Sequence, residues 1–144
     1  MNEERKEKRI LWVFLAITLI SVLFFLALGG YLGNGSVEKN PDVIAVPGYE
    51  MLELKANTAE QSLRMPNPPQ NCCFFQISLY LEDGTLLWQS ELVEPGAKSK
   101  PIVLTKTLEK GLYPNAVLRY SCYRMDETLA PLNGAETKLT LNVK

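Results

Sequence analysis

The apolar residues divide the chain into two unlike parts. From Ile10 to Leu32, 23 consecutive positions carry no charge, and only Thr18, Ser21 and Tyr31 are polar. Beyond that run, apolar residues come in short stretches separated by Gly, Pro, Asn and Asp. At about 1.5 Å per residue, the first stretch predicts a helix roughly 34 Å long, enough to cross a hydrocarbon core of about 30 Å. A water-soluble helix of that length carries a polar stripe, and this one has none. Trp12 and Tyr31 fall near its two ends, where amphipathic rings favour the membrane interface.

Residues 1–9 carry Arg5, Lys6, Lys8 and Arg9, whereas no basic residue follows the apolar run until Lys39. Loop Lys and Arg set orientation, so the N-terminus is expected inside and residues 33–144 outside. A cleaved signal peptide is the rival reading, since Ala27-Leu28-Gly29 offers small residues. The apolar run is longer than the usual core of such peptides, which favours an uncleaved single-pass anchor. Residues 33–41 read as a tether, and about eight flexible residues reach only ~15 Å.

From residue 42 to 144, β-type runs alternate with turn residues at the spacing of an all-β sandwich or barrel. Strands are expected near 42–46, 50–56, 61–65, 73–82, 85–93, 100–105, 115–124 and 137–143. Asp83-Gly84, flanked by β runs, suits a two-residue hairpin in which both turn residues take positive φ. That turn would set Leu81 opposite Leu86, Leu79 opposite Trp88, Ile77 opposite Ser90 and Phe75 opposite Leu92, an apolar face suited to the core. The other face would pair Phe74 with Val93, Gln76 with Glu91, Ser78 with Gln89 and Tyr80 with Leu87. Its apolar members, Phe74, Tyr80, Leu87 and Val93, read either as ground covered by a loop or as a partner-binding patch. Leu139, Leu141 and Val143 alternate with polar neighbours in the last strand, and Lys110-Gly111-Leu112-Tyr113 suggests a Gly-x-Tyr corner before strand 115–124.

The chain has three Cys, the vicinal pair Cys72-Cys73 and Cys122. Alternation points Cys73 and Cys122 into the same core, so they read as a candidate disulfide, or as two buried thiols behaving as small hydrophobes. Cys72 would face outward as a free thiol or a site of intermolecular pairing.

Composition narrows the chemistry further. The net charge is −1, and four of the 15 basic and three of the 16 acidic residues precede the apolar run, so no basic surface for nucleic acid is expected. The chain has no His and no C-x-x-C pair, which removes the usual zinc ligands and the usual general base. The acidic pairs Glu82-Asp83 and Asp126-Glu127 fall in expected turns and read as solvated loop acids. No cofactor, metal ligand or catalytic residue is expected, and the chain is read as non-enzymatic.

The segments Pro47–Leu54 (PGYEMLEL), Phe75–Trp88 around the LEDGT turn, and Asn133–Lys144 (NGAETKLTLNVK) resemble small membrane-anchored proteins of Gram-positive bacteria with an immunoglobulin-like β domain. The resemblance covers most of residues 42–144. It implies a bacterial origin, a cell-surface location and an immunoglobulin-like antiparallel sandwich of about seven to eight strands, and it brings no activity with it. It also weighs somewhat against the disulfide, because such bacteria use structural disulfides sparingly. The expected role is a non-catalytic binding or structural module at the cell envelope, whose partner is an envelope protein or cell-wall material. The second expectation is an accessory subunit of a secretion, conjugation or pilus-type complex.

Overall fold

The computed structural model describes residues 39–144. The expected anchor at Ile10–Leu32, the basic segment 1–9 and most of the tether lie outside these residues. Among the described residues there is no helix, and none long and apolar enough to cross a membrane.

Five strands form one mixed sheet: β1 (Met51–Leu54), β2 (Cys73–Tyr80), β3 (Leu86–Gln89), β4 (Gly111–Arg124) and β5 (Pro131–Val143), in the order β1-β5-β4-β2-β3. Neighbouring strands run antiparallel except β1, which lies parallel to β5 with Leu52 beside Leu141 and Leu54 beside Val143. This differs from the wholly antiparallel arrangement that the sequence suggested. Residues 42–46, 61–65 and 100–105 form no strand of this sheet.

One face of the sheet is apolar. Phe75, Ile77 and Leu79 of β2 meet Leu118, Tyr120 and Cys122 of β4, all essentially inaccessible. The Phe75 and Tyr120 rings pack tilted at 5.4 Å between centroids. Two extended segments, about 59–67 and 96–104, lie over this face and bond to each other through Gln61 N–H to Ile102 O, Ile102 N–H to Leu63 O and Ser99 N–H to Met65 O. Met65, Ile102 and Leu104 from these segments complete the core.

Buried asparagines anchor this layer. Asn67 Nδ2 donates to Cys73 O at 2.9 Å and Val93 O at 2.8 Å, and Asn67 Oδ1 accepts from Asn71 Nδ2 at 2.8 Å. Asn71 also bonds both main-chain groups of Ala45. Every amide group of Asn67 is thereby paired, as burial demands.

Irregularities tune the strands. Asn115, with φ +56°, sits beside Pro114 where β4 slips by one residue against β5. A bulge tolerates proline because a ladder bond is missing there already. A Cβ at Gly134 would lie 2.4 Å from Tyr120 O, so only glycine lets β5 approach β4 where the second register shift occurs. Tyr113 Oη donates to Glu109 O at 2.9 Å, tying the start of β4 to the turn before it.

Candidate functional site

The sheet's second face carries Phe74, Gln76, Ser78 and Tyr80 of β2 opposite Tyr123, Ser121, Arg119 and Val117 of β4; Ser78 is buried there, and the other seven are at least partly exposed. Strand alternation produces this set, which points away from the core residues it alternates with. Phe74, Tyr80, Val117 and Tyr123 are partly exposed.

Arg119 organises the centre. It lies opposite Glu136 of β5 and forms an ion pair with it at 2.6 Å, with both side chains about half exposed. Its guanidinium carbon stands 4.8 Å from the Tyr80 ring centroid, and Nη1 donates to Tyr80 Oη at 3.4 Å. The Glu136 hydrogen bond holds the guanidinium pKa above its ordinary value. Tyr123 Oη reaches Gln76 Oε1 at 3.5 Å, and Gln89 Nε2 donates to Ser78 Oγ at 3.1 Å. Aromatic rings and a cation are thus held in fixed relation without an enclosing wall. A shallow cavity of about 390 Å³ adjoins them along Arg119–Tyr123 and the start of β5.

Of the four residues expected to form a patch, the structure keeps Phe74 and Tyr80 on this face. Leu87 and Val93 are corrected: they are 0% and 3% exposed and belong to the core. Both departures have a local cause. Of the turn residues only Gly84 has positive φ, at +84°, and Gly84 N–H bonds Leu81 O while Leu81 N–H bonds Thr85 O. The loop therefore has three residues, Glu82, Asp83 and Gly84, and Tyr80 falls opposite Leu86. A bulge after that pair restores Leu79 opposite Trp88, and it turns Leu87 and Trp88 both inward. Past β3, Ser90 Oγ in place of its carbonyl accepts from Ile77 N–H, and the ladder resumes with Phe75 opposite Val93. Leu92, expected in the core, is 37% exposed instead.

Cys73 and Cys122 are buried on the core side of adjacent strands, offset diagonally, since Cys73 faces Arg124 and Phe75 faces Cys122. All three cysteines are free thiols in the structure, and Cys72 is partly exposed. Burial raises the thiol pKa of Cys73 and pushes that of Cys122 up to about 12, helped by the neighbouring thiol. Both stay protonated and unreactive near neutrality. The turn acids serve local structure: Asp83 Oδ1 accepts from Thr85 N–H at 2.9 Å, and Asp126 Oδ1 from Thr128 N–H at 3.0 Å. Hydrogen bonds from Thr85 and Thr128 lower the two carboxyl pKa values.

Tyr123, Arg119 and Val117 were not singled out from the sequence. The sequence carries a signal for them, because they alternate with Ala116, Leu118, Tyr120 and Cys122, all buried in the structure. What the sequence could not supply was the β2–β4 register that sets Phe74 against Tyr123 and Tyr80 against Val117. The chain matches no family model, no curated protein and no solved structure.

Proposed function

We propose that this chain is a non-catalytic binding module, held outside the cytoplasmic membrane by an N-terminal helix at Ile10–Leu32, which captures a protein or cell-wall partner of the envelope on its open sheet face. The observation that carries the reading is the set of partly exposed aromatics, Phe74, Tyr80 and Tyr123, ordered around the Arg119–Glu136 pair. Aromatic and Arg side chains in fixed positions are the residues that dominate recognition surfaces, because they bury large area with little loss of side-chain freedom. The uncharged 23-residue run and the basic residues before it support the anchor and its orientation.

An immunoglobulin-like sandwich is the fold we infer for the displayed domain. The Tyr113–Glu109 bond supports it, since a tyrosine tied back to the preceding turn is a device of such domains, and so does the layer of segments 59–67 and 96–104 over the sheet. The test replaces Phe74 and Tyr123 by Ala in the full chain and, separately, exchanges Ile10–Leu32 for an unrelated anchor, then identifies co-purifying envelope components. Loss on the first change alone supports the module. Loss on the second change alone would replace it with a subunit of a secretion, conjugation or pilus-type complex, held by its helix.

A further inference from the structure

We propose that the β1 edge of the sheet takes up an extended acidic peptide segment of a partner protein by strand addition. This edge is a separate surface from the open face.

β1 is the terminal strand of the sheet, and β5 is its one neighbour. In a parallel ladder, alternate residues direct both main-chain groups to the neighbouring strand. Glu50 O and Leu54 O accept from β5 and Lys144, and Ala56 N–H donates to Lys144 O. The even positions therefore face β5, and Met51, Glu53 and Lys55 face outward.

The last of these is already satisfied, in an instructive way. Lys55 N–H donates to Gln61 Oε1 at 2.7 Å, and Gln61 Nε2 donates to Lys55 O at 3.1 Å. The Gln61 side chain, 4% exposed, thus supplies the acceptor and donor that a further strand would supply. It ends the edge at Lys55. Met51 and Glu53 keep an outward N–H and C=O each, with no partner among the described residues. The opposite edge is treated differently, because Thr105 bonds both Leu86 O and Leu87 O.

Charge identifies the occupant. A groove of about 580 Å³ runs beside β1, lined by Glu53, Lys55, Leu63, Arg64, Lys98 and Lys144. Four cationic side chains stand there against one carboxylate, and Lys144 is the one paired with Glu53. A second copy of the chain is a poor occupant, since edge-to-edge pairing would set the two cationic grooves against each other. An extended peptide with acidic side chains satisfies both the four open main-chain groups and the excess positive charge. Main-chain bonds then give affinity, and the groove gives selectivity.

The test uses the full chain in detergent micelles and a short end-blocked peptide of alternating Glu and Val. Expected are saturable binding that weakens with salt, slowed amide exchange at Met51 and Glu53, and a loss of roughly tenfold or more when alternate peptide amides are N-methylated. Lys98→Glu should weaken binding to a similar degree. Glu53→Pro should block binding while keeping the ladder to β5, because the N–H it removes points outward. Absence of binding, equal binding of the N-methylated peptide, or unchanged exchange at the two amides would overturn the proposal. So would inorganic polyphosphate that competes fully and protects the same two amides, since charge alone would then account for the site.

Discussion

Leu87 stands next to Trp88 in β3, yet both side chains lie in the core. Adjacent residues of a regular strand face opposite sides, so the bulge opposite Leu79 and Tyr80 is what brings them together. Leu87→Ala should therefore cost about 2–5 kcal/mol in urea unfolding, as a core truncation does. Tyr80→Ala, on the open face, should cost well under half as much. Equal losses would contradict the bulged register.

Asn67 makes a second prediction. It joins the start of β2 to Val93 and to Asn71, entirely by side-chain hydrogen bonds. Asn67→Ala leaves Cys73 O without a partner and removes one bond each from Val93 O, which keeps Phe75 N–H, and Asn71 Nδ2, which keeps Ala45 O, at a cost of about 1–3 kcal/mol. The check is an unfolding curve beside that of Gln70→Ala, a neighbouring substitution expected to be nearly neutral.

The thiols should separate by reactivity. With the protein reduced, a membrane-impermeant alkylating reagent applied to intact cells should modify Cys72 alone, because Cys73 and Cys122 are buried. Denaturation should expose all three to the same reagent. Protection of Cys72 until the membrane is permeabilised would contradict the outside location.

Burial of Cys122 also sets a limit at high pH. Its pKa is raised from 9.0 to about 12 in the fold, chiefly by desolvation. The unfolded chain therefore releases this proton first, so stability is level below about pH 9 and declines as pH rises toward 12. Cys73, Tyr49 and Tyr120 are shifted the same way by burial and steepen the decline. Melting temperatures of the parent and of Cys122→Ala across this range should show the shallower fall in the variant.

The alternation of apolar residues in the sequence was enough to place β2, β4 and the core half of β5, because one buried face leaves a period of two. It also set Leu79 opposite Trp88, as observed. That agreement came from two opposite departures: the loop has one residue more than expected, and the bulge at Leu87 absorbs it. Neither departure leaves a pattern in a strand of only four residues. Asn67 stands among Pro66, Pro68 and Pro69, and nothing local in that stretch indicates that it is buried as a junction between distant segments. The pairing of β1 with β5 was equally hidden, since parallel partners are distant in sequence and no turn fixes their register.

The central claim is that the open face carrying Tyr80, Arg119 and Tyr123 is the surface that engages a partner. A photo-crosslinking residue placed in turn at Tyr80, Tyr123 and Val103 tests it in intact membranes; Val103 is 56% exposed and lies on the covering layer. The account predicts one and the same crosslinked product from positions 80 and 123 and none from 103. Equal capture from position 103, or no capture from the open face while an altered membrane segment abolishes association, would contradict it.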